Sequence, residues 1–315
     1  MVPTNRAREL RIALIRGGDS SERQVSLLSG EAAREALVAL GFEVVEIDPS
    51  LREDLSRLTQ EDFDLAFLAM HGKHGEDGTI QGMLELIGLP YTGSGVWSSA
   101  TAIDKAKTKE RYRAAGVPTP DWQVFALDGV RAEDVLQAGF SLPCVVKVID
   151  GGSSIGVAIA RDSKELTEAL NDAAELSDRV LVERHIEGRE LTVAVLGNKA
   201  PEALPAIEFS VPGDFDFEAK YVDHDIERVC PAPLSETQAR SLAKLAEAAH
   251  STLECSGLSR TDFLLDDDGT FWALETNTVP GMRRGSFAEQ AAKAAGIPYA
   301  QLCMKLVELA LEREA

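Results

Sequence analysis

Near the C-terminus, a guanidinium, two carboxylates and an amide recur at alternate positions on either side of an Asp-Gly turn: Arg260, Asp262, Glu275 and Asn277. The flanking runs RTDFLL and TFWALETN read as strands, and Asp268-Gly269 between them is a strong hairpin signal. A two-residue loop pairs Asp267 with Thr270, and counting outward sets Asp262 opposite Glu275 and Arg260 opposite Asn277. Opposed residues share a face, so the four polar side chains converge. Phe263, Leu265, Trp272 and Leu274 then form the core-facing side. A turn with a glycine bulge shifts the pairs by one, with the apolar set favouring the same facing. Two carboxylates and an amide oxygen make a hard, all-oxygen site suited to Mg²⁺, which commonly shares its shell with substrate phosphates. A surface hairpin in an acidic protein is the competing reading.

Other constellations are spread along the chain. Lys147 precedes Asp150-Gly151-Gly152-Ser153-Ser154-Ile155-Gly156. Small residues let backbone N–H groups approach phosphate oxygens, Ser153 and Ser154 add hydroxyl donors, and the lysine adds a point charge. This is not a Walker A loop, where the lysine follows the glycines and opens a helix; alone it reads as a glycine-rich turn. Lys105, in the run DKAKTK, places a second cation at a helix start. Glu183 ends the run VLVE and Glu190 follows Gly188-Arg189. Either acid could accept hydrogen bonds from an adenine amino group or ribose hydroxyls, or simply be exposed at a strand end. His71 and His74 have zinc-like spacing, but a glycine-rich turn holds no two rings on one rigid face and no cysteine is near. A strand-to-helix turn with one His reaching a cleft is preferred. Glu22 closes the run GGDSSE at another strand end, where it could grip a substrate ammonium or merely favour the helix dipole.

Positioning these groups takes a scaffold of alternating elements. Arg11–Ile15, FEVVEID and DLAFLAM read as strands, with an amphipathic helical stretch ending near Leu40-Gly41. Strand–helix–strand alternation implies a parallel sheet with helices on its faces. The run TIQGMLELIGLPYTG adds a helix and a return, closing an N-terminal α/β domain over residues 1–95. A helix around Ala100–Ala115 leads into a central α+β unit, 96–184, built from CVVKVI, IGVAIA, the helix SKELTEALNDAAE and RVLVERHI. The remainder, 185–315, holds ELTVAVLG, a long loop through Asp214–Pro233, the helix ETQARSLAKLAEAAHSTL, the hairpin and a terminal helical segment.

A chain of 315 residues has room for two or three packed domains. Its net charge of −20 argues against a nucleic-acid backbone or an anionic membrane as main partner. It leaves ATP open, because a local lysine and arginine cluster can override distant charge across a Debye length of about 10 Å. The four cysteines form no CxxC pair, so neither a zinc signature nor a disulfide framework is implied. The segment MVPTNRAREL lacks the apolar core of a signal peptide, and no apolar run reaches the roughly 20 residues of a bilayer span. A soluble cytoplasmic protein is expected.

Read together, GGDSSERQVSLLSG, HGKHGEDGTIQGMLELIGLPYTGSGV, DKAKTK, GSSIGV, EAKY, and RTDFLL with LETNTVPGM resemble the D-alanine–D-alanine ligases of the ATP-grasp superfamily. The resemblance covers nearly the whole chain, and the ordered set is far more specific than any member. It implies a three-domain ATP-grasp fold, α/β (α+β), with ATP between the central and C-terminal domains. By this resemblance Lys105 and Lys147 would bind ATP phosphates, with Ser154 in the phosphate loop. Glu183 would contact adenine and Glu190 the ribose, and Asp262, Glu275 and Asn277 would ligate two Mg²⁺, or Mn²⁺. Glu22 would hold the first D-alanine's ammonium, in a trio with Ser153 and Tyr221, with His71 also lining the substrate site. Arg260 and the Gly281 backbone would stabilise oxyanions. Lys220 and Ser286 would meet the γ-phosphate or the second substrate's carboxylate. A homodimer is expected, since relatives commonly form one.

The sequence departs from the family pattern in two places. Val148 follows the loop lysine where proline is usual, and Arg283-Arg284-Gly285 replaces a small polar, Thr-containing stretch after PGM. The second change lies beside the acceptor subsite and bears on acceptor identity, whereas Tyr221 favours an amine acceptor over D-lactate. The alternatives are a same-fold ligase using D-serine, D-lactate or a non-wall amino acid, and a catalytically silent nucleotide-binding regulator.

Overall fold

The computed structural model describes residues 10–151, 156–210 and 227–313. Strand β1 (Arg11–Ile15), helix α1 (Arg23–Ala39), β2 (Glu43–Ile47), α2 (Arg52–Gln60), β3 (Leu65–Leu68) and α3 (Thr79–Leu86) come first. The strands form a parallel sheet in the order β2-β1-β3. Alternation along β1 sends Ile12 and Leu14 into one core and Ala13 and Ile15 into another. Both faces are therefore covered, as an apolar parallel strand requires. Helix α1 begins five residues after Gly18; Gly17 and Gly18 have φ values of +90° and +80°. A Cβ on Gly17 would lie 2.6 Å from the Asp48 carboxylate, so the tight exit from β1 that presents Glu22 depends on glycine there.

Helices α4 (Val96–Ile103) and α5 (Lys105–Ala114) follow where one helix was expected. Asp104 divides them: its backbone is extended, and its side chain accepts from the Lys107 N–H at 2.9 Å. That cap starts a new helix at Lys105. Strand β4 (Trp122–Ala126), α6 (Ala132–Gln137), β5 (Cys144–Val148), β6 (Val157–Ala160), α7 (Ser163–Ala174) and β7 (Arg179–Arg184) build an antiparallel sheet, β4-β7-β5-β6, over a core including Val146, Leu166 and Val182.

The third sheet contains β8 (Arg189–Leu196), β9 (Glu202–Ala203), β10 (Ile207–Ser210), β11 (Glu227–Val229), β12 (Leu258–Leu265) and β13 (Phe271–Asn277). Its order is β11-β10-β8-β12-β13, with β9 paired to β8. Helix α8 (Glu236–Thr252) packs on it, and α9 (Phe287–Ala294) and α10 (Tyr299–Arg313) close the chain. Leu302 and Leu306 of α10 share a core with Leu37 of α1 and Phe67 of β3, which ties the last helix to the first sheet.

Strands β4 and β9 to β11 were not legible in the sequence. β4 is an edge strand with a largely exposed pattern, and β11 is three residues long within the stretch read as loop. Among the described residues, no helix is long and apolar enough to cross a membrane.

Candidate active site

The hairpin β12–β13 brings the four polar residues together: Arg260 is opposite Asn277 and Asp262 opposite Glu275. The turn itself differs from the two-residue loop. Asp266 N–H donates to Thr270 O at 3.1 Å, Gly269 has φ +83°, and Leu265 pairs with Phe271. Near the turn the pairing is thus shifted by one, and Leu274 is the extra residue that restores the register before Glu275. As a result Phe271 and Ala273, rather than Trp272 and Leu274, join Phe263 and Leu265 in the core. Leu274 instead lines a cavity, and the indole N–H of Trp272 donates to Asp266 at 2.7 Å.

That cavity, about 270 Å³, lies between the second and third sheets. Apolar walls come from Val145, Val157, Ile159, Phe209 and Leu264, and the charged rim from Lys147, Glu183, Glu190, Asp262 and Glu275. Its ionic groups are tied together. Glu183, 2% exposed, pairs with Lys109 at 2.8 Å and also with Lys147. Burial alone would raise the Glu183 carboxyl, but the two lysines hold it down at about 2. Lys109 is fully buried, and burial pushes its ammonium down to about 8 against the pull of Glu183. Lys109 also donates to Thr119 at 2.7 Å. Lys105 lies 3.6 Å from Glu275 and donates to the Gly151 carbonyl at the start of the glycine-rich loop. Arg260 grips Asp262 through Nε at 3.1 Å and Nη2 at 3.3 Å, while Thr192 donates to Asp262 at 2.6 Å.

Among the described residues no three acidic, His or Cys side chains gather as a metal cage. The oxygen set is two carboxylates plus the Asn277 amide, whose Oδ1 is steadied by the Val279 N–H at 2.9 Å. That composition fits Mg²⁺, which typically takes one or two protein carboxylates and completes its shell from phosphates and water. Ser153, Ser154, Lys220 and Tyr221, expected at the site, lie outside the described residues.

A second, smaller pocket lies further along the hairpin, where Arg260 and Asn277 line it two residues from Asp262 and Glu275 of the first. It is lined by Glu22, His71, Arg228, Gly281, Arg283 and Ser286 among others. His71 is a strut as well as a wall. Its Nδ1 donates to the Val279 carbonyl at 2.9 Å and its Nε2 accepts from Ser29, whose Oγ accepts from Met282 N–H. This chain fixes the segment 279–282, and hence Gly281, against α1. His74 points elsewhere, toward Asp19 at 3.1 Å, so the two rings share no metal. Ser286 caps α9, accepting from Glu289 N–H at 3.3 Å. The pair Arg283-Arg284 is split: Arg283 lines the pocket, while Arg284 turns to Glu289 and the Tyr299 ring.

Sequence reading missed Lys109 and Arg228. Lys109 stands four residues after Lys105, hence on the same helix face, and that spacing could have flagged it. Nothing local marks Arg228.

Comparisons with known proteins bear on the chain as a whole. Residues 112–308 match the family model described as D-ala D-ala ligase C-terminus, and residues 49–94 match D-ala D-ala ligase N-terminus. The chain is 44% identical over 315 residues to the D-alanine–D-alanine ligase of Desulfotalea psychrophila, covering 98% of this chain and 97% of that one. Among solved structures, the D-alanine–D-alanine ligase of Bacillus anthracis superposes with TM-score 0.84 at 35% identity, over 97% of this chain and 100% of that chain. The VanG D-Ala:D-Ser ligase of Enterococcus faecalis gives 0.83 at 28% identity, over 96% and 99%.

Proposed function

The chain belongs to the D-alanine–D-alanine ligase family of the ATP-grasp superfamily, and on that premise we propose that it joins two D-alanines into D-alanyl-D-alanine for peptidoglycan synthesis. The supporting observation is the shared face of Arg260, Asp262, Glu275 and Asn277, which meets Lys105 at Glu275, Lys147 across the larger cavity and Glu22 across the smaller one.

A carboxylate is a poor electrophile, so the reaction requires its phosphorylation by ATP. The second amine then displaces phosphate from the acyl phosphate through a tetrahedral oxyanion. In this reading the apolar walls of the larger cavity take adenine beside Glu183, Glu190 takes the ribose, and Lys105 and Lys147 offset phosphate charge with Ser153 and Ser154. Asp262, Glu275 and Asn277 would hold two Mg²⁺, which supply further neutralisation of the phosphates. Glu22 receives the donor ammonium, in a trio with Ser153 and Tyr221. Arg260 and the Gly281 N–H face the developing oxyanion, in a cleft where such donors act with least screening. Lys220 and Ser286 complete the substrate contacts. We assign three domains, 1–95, 96–184 and 185–315, in a cytoplasmic homodimer.

Incubation with D-alanine, ATP and Mg²⁺ should release ADP and phosphate and yield the dipeptide by mass. Absence of turnover across D-alanine, D-serine and D-lactate would sink the reading.

A further inference from the structure

Three guanidinium groups converge on the smaller pocket from separate segments: Arg228 from β11, Arg260 from β12, and Arg283 from the loop before α9. Arg260 is engaged by both oxygens of Asp262. Arg228 and Arg283 have no carboxylate partner among the described residues. Arg228 is held in place rather than neutralised. It stacks 4.4 Å from the Phe287 ring centroid and donates from Nη1 to the Gly285 carbonyl at 2.7 Å. Among the described residues its Nε is buried with no partner. Burial, then the charges of Arg283 and Arg260, press the Arg228 guanidinium below its ordinary range. The N-terminus of α9, capped by Ser286, adds its partial positive charge to the same wall. Among the described residues Glu22 is the one acid of the lining, and the donor ammonium claims it in the proposed function.

Placing like charges together with a buried, unpaired N–H is costly unless a ligand completes the set. The cavity is about 40 Å³. At the roughly 10–15 Å³ that one water needs, this admits a small group and no second acidic side chain. Charge therefore selects an anion and size keeps it small, and the acceptor's carboxylate is the small anion of the proposed reaction that has no assigned cation among the described residues.

We infer that Arg228 and Arg283 are specificity-determining residues that bind the carboxylate of the acceptor D-alanine, leaving Arg260 to Asp262 and the oxyanion. This rests on the proposed function, which makes the pocket the acceptor's.

Arg228→Met and Arg283→Met keep the aliphatic stem and remove the charge. Each should raise the acceptor KM by about tenfold or more, the scale of one charge-assisted hydrogen bond, while the donor and ATP KM values stay within about twofold. Arg228→Lys and Arg283→Lys should recover part of the loss. In equilibrium dialysis of labelled D-alanine with ADP and Mg²⁺, the weaker of two binding sites should vanish in the Met variants. Unchanged acceptor KM with both sites retained overturns the inference. Should the Met variants fail to fold, wild-type protein decides. D-alanine amide, which lacks the anionic charge, should compete at the acceptor site at least about tenfold more weakly than D-alanine, and equal competition overturns the inference. Wild-type protein that binds two D-alanines but forms no dipeptide would refute the proposed function and leave this assignment standing.

Discussion

The two adjoining pockets treat charge in opposite ways. At the larger one, the cations already have acids: Lys109 and Lys147 on Glu183, and Lys105 on Glu275. In the smaller one Arg260 is held by Asp262, but Arg228 and Arg283 have no carboxylate partner among the described residues. Burial accounts for the difference. Glu183 and Lys109 are sealed from solvent, and a sealed charge must be balanced by the fold itself. Arg228 and Arg283 are only half-buried, so water and an incoming anion can balance them. The larger pocket is thus pre-neutralised by structure, and the smaller one is left for a substrate to complete.

The most severe way to break this contrast is to unbalance the sealed side. Glu183→Gln strands two lysines around a neutral amide and should cost about 3–5 kcal/mol of folding free energy, read from the urea midpoint. A shift well under 1 kcal/mol would mean that the lysines find solvent, contrary to their burial.

Next in size, Glu275→Gln should lower turnover by about a hundredfold or more and raise the Mg²⁺ concentration needed, since even partners one shell beyond a metal are worth about 10–100-fold. Its urea midpoint should barely move, because Glu275 is a third exposed. Near-normal turnover would remove it from the metal set.

A milder test asks whether buried groups are always either paired or neutral. His250 is fully buried, bonded through Nδ1 to Ser259 at 2.7 Å, and burial chiefly holds it down at about 4 from an ordinary 6.5. Between those values the unfolded chain binds a proton that the folded chain refuses, so stability falls as pH drops from about 6.5 to 4, by on the order of 3 kcal/mol. Glu183, held at about 2, adds its own loss only below the ordinary carboxylate range. His250→Gln should flatten the slope between pH 6.5 and 4.5 in urea titrations, and an unaltered slope would assign it to other groups.

Much of the site was legible because its spacing is local. Alternation along one hairpin put Arg260, Asp262, Glu275 and Asn277 on one face from pair counting alone, and the wider turn left that result intact because the Leu274 bulge cancels the shift. The apolar side was misread for the same reason: between turn and bulge the parity is reversed, so Phe271 and Ala273 are inside and Leu274 lines the cavity. The helix start at Lys105 was legible, but the separate helix before Asp104 was not, because a run rich in helix formers conceals a cap within it.

Sequence by itself determined the chemistry available: the all-oxygen set proposed to hold a metal, the lysines, Glu22, and the glycines that turn the chain out of β1. Periodicity and turn residues act over a few positions, so they are written locally. Only the tertiary structure decided which charges meet. Arg228 and Arg283 lie 55 residues apart, and Lys109 and Glu183 are 74 apart. Nothing in local spacing encodes such distant pairs; they follow from how three sheets and the last helix pack around shared cores. That packing separates a pocket whose charges are already balanced from one that waits for a carboxylate.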